Sequence, residues 1–182
     1  DRRPQKMFLL KWLSKNPKAI ILSGGPASVF TDEAPVFDKN ILNIDIPILG
    51  ICYGLHLLVH HNGGTVETTG GGEYGFATIK LNAETSITKN MSTTSRVWMS
   101  HMDQVTVVPK GWSIIAQSSN NIIAAMASSD NRRIATQFHL EVSHTEEGNI
   151  LLNNFLFDIA GCERNWTPGN FVDEQTKILK QV

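Results

Sequence analysis

The sequence predicts a single α/β domain, and three features of its patterning carry that expectation. Two short apolar runs rich in β-branched residues, 19–22 and 46–51, each end at a glycine-containing turn. The middle of the chain is a series of short strand-like pieces separated by Gly, Pro, Asn and Ser. After it, Ile150, Leu151, Phe155 and Ile159 are spaced for one face of a helix over about 146–159. A length of 182 residues suits one domain with a proper core.

The elements follow in order. Met7, Phe8, Leu10, Lys11, Trp12 and Leu13 suggest an amphipathic first helix that "NPKA" stops. The run 19–22 reads as a short buried strand ending in "SGGP", residues 23–26, where two glycines and a proline favour a turn with exposed backbone N–H groups. The run 46–51 is a second buried strand. From Gly54, the leucines at 55, 57 and 58 with Val59 predict a helix that Gly63 and Gly64 terminate. "TVETT", "GFATIKL", "VWMS", "QVTVVP", "SIIAQS", "IIAAMA" and "RIATQF" are then read as separate strands. The tail "GCERNWTPGNF" is loop-like and leads to a polar helix over 172–181. No internal repeat, low-complexity segment or long linker divides the chain.

Composition narrows the function classes. The chain is 41% hydrophobic and 18% charged with a formal net charge of −1, which argues against binding nucleic acid through bulk charge and favours a small ligand. Cys52 and Cys162 are its two cysteines, and no signal-peptide pattern or run of about 18 apolar residues occurs, so the reading is cytoplasmic, with free thiols and no membrane span.

A strand that turns sharply into a helix can hold a nucleophile at its apex, with the helix N-terminus favouring negative charge there. "GICYG" fits this for the thiol of Cys52, although the pentapeptide alone fits a buried inert cysteine as well. A cysteine nucleophile needs a base and a group to orient that base. "QFHLEV" offers His139 and Glu141, two apart and able to project the same way at strand periodicity; alone, they also fit a solvated His and a surface Glu. The backbone N–H groups of Gly25, in "SGGP", and of Tyr53 are the natural pair of donors to a developing oxyanion, and the bland reading of "SGGP" is a strand-ending turn. His56 and His60 stand four apart on the predicted helix with His61 adjacent, a metal-ligand spacing, but without an HExxH glutamate or a third ligand nearby no metal is expected. "MSHMDQV", residues 99–105, reads as a polar turn joining two strands, either a substrate-contact loop or a plain hairpin turn.

Taken together and in this order, "SGGP", "GICYG", "SHMD" and "QFHLEV" resemble the class I glutamine amidotransferase family. Within it, "EYG" at 73–75, "VWMSH" at 97–101, "EVSHT" at 141–145 and "GCERNWTPGNF" are similar to the amidotransferase domains of GMP synthases. The resemblance covers nearly the whole chain. It implies a flavodoxin-like α/β fold, with a mixed, mostly parallel central sheet flanked by helices and a small antiparallel β portion. It further implies that Cys52 is the nucleophile, His139 the general base and acid, Glu141 the orienting carboxylate, and Gly25 and Tyr53 the oxyanion hole. Gly24, His56, Ser100, His101, Met102 and Asp103 would contact L-glutamine. The ammonia released would aminate XMP to GMP in a synthetase domain. A synthetase of another pathway and a non-catalytic domain of the same fold are the alternatives.

Three positions depart from the family pattern: His56 replaces a glutamine four residues after the nucleophile, Leu140 gives "HLE" for "HPE", and Met102 replaces the glycine of "SHGD". The family's opening strand, which carries "DFG", has no counterpart ahead of Asp1, and no "SGGVDS"-like loop follows Val182. The expectation is therefore an amidotransferase domain over 1–165 without its first strand. Residues 166–182 would be a linker and helix leading toward an ATP-pyrophosphatase domain. No cofactor is expected in this domain; ATP and Mg²⁺ belong to the synthetase domain, and a homodimer of the full-length enzyme is one arrangement.

Overall fold

The computed structural model describes residues 14–180 except Glu33, Val36 and Trp166; the helix expected over 7–13 lies outside the described residues. Strand β1 (Ile20–Leu22) and strand β2 (Ile48–Ile51) are the two apolar runs, joined through a 3₁₀ turn at Lys39–Asn43. Helix α1 (Tyr53–His61) follows β2 after a single residue, Cys52. The β-rich middle comprises β3 (Thr65–Leu81), β4 (Thr94–Val107), β5 (Trp112–Ser118), β6 (Ile123–Ser128) and β7 (Arg133–Thr136). Helix α2 (Gly148–Asn153) runs on into a π-helical turn (Asn154–Ile159), and α3 (Pro168–Leu179) ends the described chain.

Among the described residues these strands form one seven-stranded sheet in the order β1-β2-β7-β6-β5-β3-β4. Pairing is parallel for β1/β2 and β2/β7 and antiparallel for the other neighbours. The sheet is mixed, as expected, but the antiparallel part is larger than the small portion expected. The reason lies in β3 and β4, two long strands in place of four short ones. "TTGGGEYG" does not end a strand: residues 69–72 bulge out of β3 opposite Met102, and pairing resumes at Glu73. "SHMD" is likewise no turn. Ser100, His101, Met102 and Asp103 lie inside β4, alternating exposed and buried at strand period, with the polar His101 and Asp103 on the inner face.

Alternation also builds the core. In β2, wholly buried, Leu49 and Ile51 face one apolar cluster with Val97, Met99, Ile134, Phe138, Leu151 and Phe155. Ile48 faces the other, with Leu55, Leu58 and Val59 of α1, spaced i, i+3, i+4. The π turn keeps Asn154 and Phe155 both buried, and the Asn154 amide donates to the carbonyls of Ile87 and Lys89, each at 2.8 Å. The tail helix starts earlier than the pattern indicated, because Pro168 occupies its first position, where a missing N–H costs nothing. Among the described residues no helix is long and apolar enough to cross a membrane.

The three parallel strands place three loops at one edge. The carboxyl ends of β1, β2 and β7 are neighbours, so Gly24 and Gly25, Cys52, and the segment 137–141 emerge side by side. Gly54 permits this junction: a Cβ there would overlap the Leu22 carbonyl at the end of β1. Ala for Gly inside a helix is ordinarily favourable by up to about 1 kcal/mol. For Gly54→Ala the sign is expected to reverse, with a loss of about 1–3 kcal/mol in urea unfolding; a more stable variant would show that α1 does not press on β1.

Candidate active site

Cys52 sits on the single residue between β2 and α1 with φ 51° and ψ −103°, a left-handed conformation costing about 1–3 kcal/mol for a residue with a side chain. Two backbone bonds hold it there. Its N–H donates to the Thr136 carbonyl at 2.8 Å, extending the β2/β7 ladder past the strand end, and its own carbonyl accepts the His56 N–H at 3.2 Å, opening α1. Gly50 and Gly54 flank it closely, a Cβ on Gly50 falling 2.5 Å from the Gly54 carbonyl oxygen. The thiol is buried, with Sγ 3.7 Å from the Ser100 carbonyl across the sheet edge.

His139 reaches Cys52 from the segment after β7. Its backbone is fixed by an antiparallel bridge to Trp98 of β4, the N–H donating to the Trp98 carbonyl at 3.0 Å, and its carbonyl accepts the Thr145 hydroxyl. Nδ1 lies 2.8 Å from Glu141 Oε1. A carboxylate only accepts, so Nδ1 carries a proton and the other ring nitrogen is left for Cys52. Cys52, beside the ring, is the largest influence and pushes the His139 pKa up to about 9; burial opposes this and Glu141 adds to it. Gly24 makes room for the ring, since a Cβ there would stand 2.9 Å from His139 Cε1 and 3.7 Å from Cys52 Cβ.

Tyr53 is the first residue of α1, so its N–H has no acceptor within the helix. Gly25 lies against it, a Cβ on Gly25 being 3.6 Å from the Tyr53 ring. The structure thus brings Gly25 and Tyr53 together beside Cys52.

A cleft of about 240 Å³ opens over the thiol. It is lined by residues 25–28, Cys52, His56, Tyr74 and residues 100–103; His139 and Glu141 do not line it. Met102 projects into it half exposed, while Asp103 is buried, its carboxylate accepting the hydroxyls of Ser28 and Thr68. His56 is buried with Nε2 3.0 Å from Gln137 Oε1, and burial pulls its pKa below the ordinary histidine value against the pull of Gln137. His101 is buried too, Nδ1 on the Asp103 carbonyl at 2.9 Å and Nε2 facing Glu73 at 3.6 Å.

His60 and His61 are exposed at the far end of α1, where His61 stacks on Phe37, and among the described residues no group of three His, Cys, Asp or Glu side chains is placed to hold a metal ion. Sequence reading did not single out Ser28, Thr68, Glu73, Thr136 or Gln137 as site partners. Ser28 and Gln137 lay within reach, two residues beyond "SGGP" and two before His139; Thr68 and Glu73 come from a strand whose pairing no local pattern shows.

Comparison with known proteins supplies the family. The glutamine amidotransferase class-I family model matches residues 4–159. A protein of Brachyspira hyodysenteriae named GMP synthase [glutamine-hydrolyzing] is 44% identical over 166 residues, 91% of this chain and 32% of that protein. The protein of the same name from Caldicellulosiruptor saccharolyticus is 42% identical over 179 residues, 98% of this chain and 35% of that protein. The chain thus spans about a third of the length of these relatives. In fold it is similar to a glutamine amidotransferase of Thermotoga maritima, with a TM-score of 0.62 at 21% identity, covering 79% of this chain and 65% of that one. With the family model matching most of its length and the class I sheet and helices in place, this chain belongs to the class I glutamine amidotransferase family.

Proposed function

We propose that this domain hydrolyses glutamine through Cys52, His139 and Glu141 and delivers the ammonia to a synthetase domain that aminates XMP to GMP. The observation that carries the chemistry is the strained Cys52 elbow with His139 against the thiol and Glu141 2.8 Å behind the imidazole.

His139, its pKa raised to about 9, takes the Cys52 proton and gives the thiolate–imidazolium pair that attacks. Glutamine enters the cleft over Cys52 with its α-ammonium toward the Asp103 carboxylate, and residues 100–103 as the wall along its side chain. The thiolate attacks the carboxamide carbon. Charge moves onto the carboxamide oxygen, where the N–H groups of Gly25 and Tyr53 receive it, each worth about 2.7–4 kcal/mol when preorganised. Collapse of the adduct breaks the C–N bond as His139 gives its proton to the leaving nitrogen, releasing ammonia and a glutamyl thioester. Neutral His139 then takes a proton from water, hydroxide adds to the thioester, and expulsion of the thiolate releases glutamate and restores the ion pair. Glu141 holds the ring in one tautomer throughout. His56, bound to Gln137, and Met102 set the cleft's depth and width at two of the three positions that depart from the family pattern.

The assignment to GMP synthesis rests on the named relatives, of which this chain covers about a third; the remaining two thirds would supply the ATP-pyrophosphatase part, with its ATP and Mg²⁺. A cytoplasmic setting belongs to the same reading. Ammonia release by the intact protein is expected to rise when XMP and ATP are both present. Release unaffected by XMP would favour an amidotransferase of another synthetase, and no release under any condition a non-catalytic domain.

Two further outcomes test the site. A glutamine-like chloroketone is expected to alkylate Cys52 and spare Cys162, and Cys52→Ala to lower glutaminase activity by on the order of 10³-fold or more; label on Cys162 or retained activity would refute the assignment. Because the thiol is the largest cause of the raised His139 pKa, Cys52→Ala is expected to bring that pKa down from about 9, read by NMR titration of the ring. The sign for stability follows. A pKa raised on folding favours the fold below the unfolded value, and that contribution disappears as pH rises through about 9.

A further inference from the structure

Outside the Cys52 group, the described residues hold a second histidine–carboxylate pair that the mechanism above does not use. Glu73 of β3 and His101 of β4 are direct cross-strand neighbours, both more than nine-tenths buried. Glu73 Oε1 accepts from Ser118 Oγ and Asn120 Nδ2, each at 2.8 Å. Its Oε2 stands 3.6 Å from His101 Nε2, and neither of these two buried atoms has another hydrogen-bond partner.

The opposite side of the ring fixes the proton count. His101 Nδ1 lies 2.9 Å from the backbone carbonyl of Asp103, and a carbonyl can only accept, so Nδ1 must carry hydrogen. In a neutral imidazole Nε2 is then a bare acceptor. Facing an ionised Glu73 it would set the lone pairs of two buried, otherwise unpartnered atoms against each other, which is unfavourable. One proton between the two atoms removes that conflict and leaves the pair with no net charge, whichever atom holds it.

The pair is also where the cleft wall is anchored. The bulge of β3 presses on it, since a Cβ on Gly72 would overlap the His101 carbonyl. On either side of His101, Ser100 offers the carbonyl that meets the Cys52 thiol, and Met102 and Asp103 face the cleft. We propose that Glu73 and His101 share one buried proton and act as positioning residues, locking the 100–103 segment of β4 into the wall of the glutamine cleft. The substrate part of this inference rests on the proposed glutaminase reading; the shared proton does not.

Removing the proton at high pH restores the clash, and a second proton at low pH buries an unpaired charge, so the wall is held best between the two. The charged or titratable groups around His101 are Glu73 from β3, Asp103 on β4 and His56 from α1. Burial is the strongest influence on His101 and pulls its pKa below the ordinary histidine value, against the opposing pull of the Asp103 carbonyl, Glu73 and the Asp103 charge.

The test uses three forms of the intact protein. Glu73→Gln keeps an oxygen for Ser118 and Asn120 and offers an N–H to a bare Nε2, whereas Glu73→Ala removes both. Glu73→Ala is expected to raise KM for glutamine about tenfold with kcat changed less than about threefold. Glu73→Gln is expected to recover most of that loss and to flatten the pH dependence of KM. Equal KM values in all three forms, or a loss confined to kcat, would overturn the positioning role. The proton is read separately, without turnover, from long-range ¹H–¹⁵N correlations of the His101 ring in the unmutated protein at neutral pH. A protonated or strongly hydrogen-bonded Nε2 is expected, and a bare, pyridine-type Nε2 would overturn the shared proton. Absence of glutaminase activity and glutamine binding in the unmutated protein, with Nε2 as expected, would refute the substrate reading and leave the buried pair standing.

Discussion

The backbone of Cys52 is the constraint on which the site depends. A non-glycine residue at φ 51° and ψ −103° persists only where its surroundings over-determine it, and here the β2/β7 pairing does so through the Cys52 N–H and the Thr136 carbonyl. The same bond ties the end of β2 to the start of the segment that carries His139. Gly50 and Gly54 then let α1 begin at once, against the end of β1 and beside the glycines that follow it. A relaxed Cys52 would move the thiol, the first N–H of α1 and the Gly24 face that receives the His139 ring together. The parallel strands β1, β2 and β7 thus act as one rigid edge, and strain at a single residue is spread over three strands.

The antiparallel half of the sheet completes what that edge begins. Strand β4 reaches the site twice: Trp98 fixes the His139 backbone, and Ser100 meets the thiol. The two histidine–carboxylate pairs that result differ in their exposure. His139 and Glu141 are partly open to solvent, which suits a ring that must exchange protons with water in the proposed cycle, whereas His101 and Glu73 are sealed and suited to holding geometry. Asp103 is buried and bound by two hydroxyls, yet it lines the cleft.

Sequence reading succeeded where structure is decided locally. The "GICYG" elbow, the "SGGP" turn and the two-residue spacing of His139 and Glu141 are each set within a few residues of chain, and the structure places these groups side by side. It failed where pairing is long-range. "TTGGG" carries every local sign of a turn, but a bulge in a long strand uses the same glycines, and only the partner strand distinguishes them. "SHMD" misled for a related reason: His101 and Asp103 look solvent-facing until the groups that satisfy them, Glu73, Ser28 and Thr68, are brought from elsewhere in the chain. His56 kept its place on the helix, but nothing nearby in sequence showed that Gln137, 81 residues on, would hold it.

The central claim is that Cys52 carries the glutamyl group, and trapping the intermediate tests it most directly. The intact protein would be mixed with ¹⁴C-glutamine, quenched in acid during turnover and digested, and the labelled peptide identified by mass spectrometry. The expected result is an alkali-labile label on the peptide containing Cys52, accumulating as ammonia is released. Sustained ammonia release with no label on that peptide, or with label elsewhere, would contradict the account.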